Sequence, residues 1–88
     1  MSVLEHYLVP VIEEGIVVYV GEKEKYGNVV IVERNDGINV WYGNVCNVNV
    51  RLYDSLEKGT YLGETCTDTL YLVFSDGNQY LNYEEYLK

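Results

Sequence analysis

Apolar residues in this chain come in short runs, broken at even intervals by glycine, asparagine and aspartate. That spacing is expected of a β-sandwich or barrel. A first strand is predicted over Leu8–Ile12, with Pro10 confining it to an edge or irregular position, because proline cannot donate to a ladder. Gly15 opens Ile16–Val20, Gly21 closes it, and the charged stretch Glu22–Asn28 reads as a turn. Val29–Glu33 follows, and Asn35-Asp36-Gly37 leads into Ile38–Tyr42. An Asp-Gly pair between apolar runs is a hairpin signal, since glycine takes positive φ without steric cost.

Past Gly43-Asn44 lies Val45–Leu52, where Val48, Val50 and Leu52 alternate with Asn47, Asn49 and Arg51. A period of two predicts a strand with one buried and one wet face. Lys58-Gly59 precedes a short strand, Thr60–Leu62, closed by Gly63. The most apolar late strand is Thr69–Phe74, turned by Asp76-Gly77-Asn78 into Gln79–Leu81, and one helical turn is expected over Tyr83–Leu87. A faint echo runs through the pattern: Glu14-Gly15 … Gly21-Glu22 against Lys58-Gly59 … Gly63-Glu64. Two such copies suit a sandwich of related hairpins packed face to face.

Composition makes the reading all-β: 14 Val, 10 Tyr, 4 Ile and no Ala. Helices favour alanine, whereas β-branched and aromatic side chains fit a pleated sheet. The fold expected is a small two-sheet antiparallel sandwich. The 88 residues read as one domain, 1–88, with a core over about 8–87. A chain of this length supports one modest core but no deep enclosed site. Fourteen acidic residues against six basic ones leave a net charge of −8. Nucleic acid and anionic membrane surfaces, which select clustered Lys and Arg, are therefore excluded as main partners. The chain contains neither an 18-residue apolar run nor a basic-then-hydrophobic leader and reads as soluble. Met1-Ser2 reads equally as a true start or as the edge of a longer protein.

Cys46 and Cys66 are 20 residues apart, a spacing that fits no zinc finger and, as a single pair, no disulfide framework. They read as two buried free thiols, with a bridge left open for a chain outside the cytoplasm.

In order, Gly15-Ile16-Val17 … Tyr26-Gly27-Asn28-Val29-Val30-Ile31 … Asp36-Gly37 … Trp41-Tyr42-Gly43-Asn44-Val45 resembles the core of the LytM-type (lysostaphin-like) zinc peptidoglycan endopeptidases. Val50, Asp54, Leu56, Lys58, Gly59, Leu62 and Gly63 match the family's next motif, V-x-x-G-D-x-V-x-K-G-x-x-I-G. The last strand, its turn and Asn82-Tyr83 … Tyr86-Leu87 are similar to the family's closing strand and ending, although Asn82-Tyr83 replaces the usual D-P.

At the catalytic positions this chain departs from the family pattern. By the resemblance, the histidine of the family's Y-x-H-L falls on Asn44 and its H-x-H pair on Thr69 and Tyr71. The upstream H-x-x-x-D ligands fall before residue 1 or at its edge, out of register with His6. A catalytic zinc needs three protein ligands and an open position. Thr69 and a neutral Tyr71 are poor ligands, and Asn44 cannot shuttle a proton near neutral pH. The expectation is a peptidase fold without peptidase activity, binding no metal and no cofactor.

Trp41-Tyr42-Gly43-Asn44, Val50-Arg51-Leu52-Tyr53-Asp54 and Thr69-Leu70-Tyr71-Leu72-Val73-Phe74 resemble the degenerate members of the stage IV sporulation protein FA type. That resemblance implies a regulator tethered to the outer forespore membrane by an N-terminal helix outside this sequence. Its domain would project between the forespore membranes and hold an intramembrane metalloprotease complex inactive until a signalling protease cuts it. Another LytM-type sporulation protein is a further implied partner. The alternative is a non-catalytic scaffold of the engulfment or division type that binds another LytM protein or an amidase.

Trp41, Tyr42, Asn44, Thr69 and Tyr71 would line the vestigial groove as its binding surface. Trp41 reads first as strand packing and second as a partner anchor. Glu22–Lys25 reads as a solvated hairpin tip open to proteolysis, and His6 as a surface residue. An active endopeptidase with other ligands is disfavoured by the single histidine. A lipoyl- or biotinyl-type carrier is rejected because Asn35-Asp36-Gly37 has no lysine and Lys58 sits between Glu57 and Gly59.

Overall fold

A computed structural model describes residues 1–76 and the backbone of 79–81. Nine strands follow one another: β1 (Leu8–Pro10), β2 (Gly15–Lys23), β3 (Gly27–Arg34), β4 (Asn39–Gly43), β5 (Val45–Cys46), β6 (Ser55–Leu56), β7 (Tyr61–Thr65), β8 (Tyr71–Asp76) and β9 (Gln79–Leu81). They form a six-stranded sheet, β6-β2-β3-β4-β8-β9, and a three-stranded sheet, β1-β7-β5. Every pairing is antiparallel, so the expected two-sheet, all-β architecture is what the chain adopts. The helical turn expected over Tyr83–Leu87 and the turn residues Gly77-Asn78 lie outside the described residues.

Valine spacing builds the core. Val17, Val30, Val32, Val40, Tyr42, Leu56 and Phe74 of the large sheet meet Val9, Val45 and Leu62 of the small one, with Val11, Val50 and Leu70 filling in from the connections. In β3 all of Val29, Val30, Ile31 and Val32 are buried. Such a continuous apolar run marks a strand covered on both faces. Val30 and Val32 face the small sheet. Ile31 lies opposite Tyr19 and Trp41 on the outer face, and side chains there cover it.

Several boundaries differ from the sequence expectation for identifiable reasons. The β2–β3 ladder continues through Glu22 opposite Asn28 and Lys23 opposite Gly27, so the charged turn shrinks to residues 24–26. Lys25 and Gly27 take the positive φ that closes it. The strand predicted over Val45–Leu52 stops at Cys46. Asn47 has a φ of 52° and Tyr53 one of 71°, and a left-handed residue ends a ladder. Val50 is buried without one, while Leu52 is exposed. The period-two signal reported burial here, not pairing. The two echoing glycines also play different roles: a Cβ at Gly15 would meet the Glu33 carbonyl at 2.3 Å, whereas Gly59 sits in open space at a φ of +89°.

The cysteines correct the free-thiol expectation. Val45 lies opposite Thr65 and Cys46 opposite Glu64, which brings the Cα atoms of Cys46 and Cys66 to 5.1 Å, and the two form a disulfide. That separation lies within the range a bridge requires. Both residues are half-buried rather than buried. Sequence spacing could not show the pairing, because it arises from the β5–β7 register.

Candidate functional site

The outer face of the large sheet carries the positions that the resemblance sets against the family's histidines. On β4, Trp41 and Gly43 point the same way, and Gly43 lies opposite Tyr71 of β8. Gly43 is required there: a Cβ would stand 3.0 Å from the Tyr71 Cβ and 3.1 Å from the Tyr26 carbonyl oxygen. The Tyr26 ring packs edge-on against Trp41, centroids 6.1 Å apart, and against Tyr71 at 5.7 Å. The Lys23 ammonium lies 4.4 Å from the Tyr19 ring centre and 5.3 Å from that of Trp41. Trp41 is further fixed by its indole N–H, which donates to Ser75 Oγ at 3.2 Å. The result is a braced platform of Tyr19, Lys23, Tyr26, Trp41 and Tyr71, of which Tyr71 is 39% exposed.

Asn44 forms the platform's end wall. It turns the chain from β4 to β5 at a φ of 66°, a conformation asparagine accepts more readily than most residues. Its backbone N–H donates to the Tyr26 carbonyl at 2.7 Å and its carbonyl accepts from the Cys66 N–H at 3.0 Å. The side-chain amide donates to Thr67 Oγ1 at 2.9 Å and to the Thr69 carbonyl at 2.7 Å. Asn44 therefore ties three segments together through both backbone and side chain. Replacing it with alanine removes two hydrogen bonds and leaves a β-carbon in the left-handed region. We expect Asn44→Ala to cost about 2–3 kcal/mol, read as a fall in the denaturant midpoint at an unchanged slope.

Four of the five residues expected to line the groove thus come together: Trp41, Asn44, Thr69 and Tyr71. Tyr42 does not join them. It points to the opposite face, is fully buried, and accepts a hydrogen bond from the Ile12 N–H through its phenol oxygen at 3.0 Å. Burial pushes its phenol up to about 12, against lesser pulls from the Ile12 hydrogen bond and Arg34 and a further push from Glu13. Tyr42 also floors an apolar pocket of about 170 Å³, shared with Met1, Tyr7, Pro10, Ile12, Leu70 and Leu72, between the sheets and away from the platform. His6 is exposed, 3.7 Å from Glu64 and 3.5 Å from Glu5.

Sequence reasoning missed Tyr19, Lys23 and Tyr26. Glu22–Lys25 read as a solvated tip, whereas Lys23 packs inward over two rings. The available signal was the period of two running on from Tyr19 through Gly21 to Lys23, masked by the charges either side.

Zinc in hydrolases is held by His, Asp, Glu or Cys, and among the described residues no three of these converge to hold a metal ion. The Thr69 hydroxyl donates to its neighbour Asp68 at 3.2 Å, and Asn44 offers zinc only an uncharged amide oxygen, a donor outside the usual zinc set. A carboxamide, a hydroxyl and a phenol do not fit the ion.

Comparison with known proteins bears on the fold. The catalytic domain of the antimicrobial peptidase lysostaphin from Staphylococcus simulans is 21% identical, with a TM-score of 0.80 over 94% of this chain and 71% of that one. The catalytic domain of the prophage-encoded M23 protein EnpA from Enterococcus faecalis is 17% identical, with a TM-score of 0.83 over 94% and 72%. CbpA from L. salivarius REN is 22% identical with a TM-score of 0.73 over 82% of this chain, which spans only 49% of that structure. No curated protein matches the chain. At these identities the structures establish a common fold and nothing finer. The sequence profile of peptidase family M23 matches residues 4–85, and the chain belongs to that family.

Proposed function

We propose that this domain is a catalytically inactive member of peptidase family M23 that acts by binding protein. Like the stage IV sporulation protein FA type that it resembles, it holds an intramembrane metalloprotease inactive until a signalling protease cuts it. The observation that carries the reading is Asn44. Where the family resemblance sets a histidine, this chain has a carboxamide that braces Thr67 and Thr69 and has no proton to exchange near neutral pH. With Thr69 and Tyr71 at the other histidine positions, the groove keeps its walls but not its acid–base or metal-binding chemistry.

Two further features support the reading. The Cys46–Cys66 disulfide suits an oxidising compartment, in keeping with a membrane-tethered domain facing the space between the forespore membranes. The Trp41–Tyr26–Tyr71 platform supplies the rigid aromatic surface that interface centres favour, next to a wall of threonine hydroxyls and backbone.

The test has two arms. The purified domain, dialysed against zinc, is expected to retain far less than one ion per chain and to release no fragments from peptidoglycan. Stoichiometric zinc or cleavage would sink the inactive reading. Affinity capture from detergent extracts of sporulating cells is expected to recover a polytopic metalloprotease, with recovery reduced roughly tenfold by Trp41→Ala or Tyr71→Ala. Recovery of another LytM protein or an amidase alone would replace the regulator with a scaffold.

A further inference from the structure

The large sheet has an edge that the groove does not use. In the sheet order, β6 is the neighbour on the outer side of β2, and it pairs only with Gly15 and Ile16. The chain extends that cover by one more residue: Val17 N–H donates to the Asp54 carbonyl at 2.9 Å, and the Tyr53 N–H donates to the Val17 carbonyl at 2.7 Å. At Tyr53 the left-handed φ of 71° turns the chain away, the turn being held by the Arg51 N–H donating to Asp54 Oδ2 at 2.8 Å. From Val18 to Lys23, no described strand lies along the outer edge of β2. At about 3.3 Å per residue, this leaves a slot roughly 20 Å long, collinear with β6.

Exposed apolar side chains border the slot. Ile16 is 48% exposed, Val20 40% and Tyr53 75%. Natural edges are blunted with lysines and bulges against unwanted pairing. Here the bulge falls at the start of the slot, between Val17 and Tyr19, leaving Tyr19–Lys23 in regular register. The one lysine on it, Lys23, folds inward over Tyr19 and Trp41 and does not guard the edge.

We propose that the β2 edge, residues 18–23, accepts an extended segment of a partner protein as an added strand, with an apolar residue beside Val20 and a basic residue beside Glu22. Main-chain pairing supplies affinity in this mode and alternate side chains supply specificity. Charge selects the occupant. Val20 and Glu22 share a face, Glu22 and Glu24 are exposed, and the chain carries a net charge of −8. A second copy fits poorly: antiparallel self-pairing about Gly21 sets Val20 against Glu22 and Val18 against Glu24. Both valines would then meet carboxylates, and two acidic domains would repel. The slot shares Tyr19 and Lys23 with the platform but would use their main chain rather than their side chains, and it does not depend on the domain being inactive.

The probe is a capped hexapeptide of lysine, threonine, valine, threonine, valine and threonine, in that order, titrated into the isotope-labelled 88-residue chain. Amide resonances of residues 18–23 are expected to shift and their hydrogen exchange to slow. The same peptide N-methylated at every amide, which cannot pair as a strand, is expected to leave them unmoved. Val20→Lys, at an exposed position, is expected to weaken binding roughly tenfold without lowering the melting temperature. Equal binding by the methylated peptide, shifts confined to the Trp41 and Tyr71 platform, or no response at millimolar peptide would each overturn the proposal. So would sedimentation showing that the chain dimerises through this edge.

Discussion

Tyr42→Ala is expected to remove about 3–5 kcal/mol of folding stability, the range for deleting a buried aromatic ring. The ring lies beside Val40 on the face of β4 that meets the small sheet, and it is fully buried. A domain of this size holds only about 5–15 kcal/mol in total, so the variant should lie near or past its unfolding threshold at growth temperature. Tyr42→Phe isolates the hydroxyl. It keeps the packing but strands the Ile12 N–H, which now donates to the phenol oxygen at 3.0 Å, at a cost of about 1–3 kcal/mol.

The pH dependence separates the two contributions. The folded phenol titrates at about 12, while an unfolded tyrosine titrates near 10. Between those values the unfolded chain has released the proton and the native chain retains it, so unfolding is favoured as pH rises. The stability that this group contributes is fully present below about pH 10 and declines by about 1.4 kcal/mol per pH unit up to about 12. Tyr42→Phe has no such proton. The wild type's advantage over Tyr42→Phe, measured by urea unfolding, should therefore shrink from pH 10 upward. An advantage unchanged through pH 12 would mean that the phenol is not buried as described.

Tyr42 also shows how far sequence can be read into structure. The Asp-Gly turn followed by the apolar run Ile38–Tyr42 placed a strand correctly, but the face of each residue depends on which side the second sheet lies. That is a long-range fact, and Trp41 and Tyr42 look alike in sequence. Trp41 lies on the outer platform and Tyr42 in the core because Val40, Tyr42 and Phe74 share the face that meets Leu62 and Val45. The glycine and aspartate punctuation was local chemistry, and it located the β3–β4 hairpin: Gly37 takes a φ of +85° and Asp36 caps the Ile38 N–H at 3.1 Å. β6 was illegible because two residues, Ser55 and Leu56, carry no periodicity. The positions of Asn44, Thr69 and Tyr71 were legible through the family resemblance. Their bracing by Tyr26 and Thr67 was not, since both lie on turns whose approach is fixed only by the closed sheet.

Breaking the Cys46–Cys66 bridge is the second change with a large expected effect. The bridge closes a loop of sequence separation 20, which in the chain-entropy account stabilises the fold by about 3 kcal/mol through the unfolded state. For a domain of this length that corresponds to a fall of roughly 10–20 °C in melting temperature. Cys46→Ala with Cys66→Ala should show that fall without reductant, and the wild type should show it on adding dithiothreitol. The effect should be felt at the groove as well. Cys46 is two residues beyond Asn44, and the Cys66 N–H donates to the Asn44 carbonyl, so the bridge clamps the segments that carry Asn44, Thr67 and Thr69. Amide exchange at residues 44 and 65–69 should accelerate before global unfolding, while the β2–β3 hairpin, held by its own ladder, should keep its protection. If reduction left both the melting temperature and this local exchange unchanged, the bridge would be a bystander, and the wall of the groove would depend on the Asn44 hydrogen bonds alone.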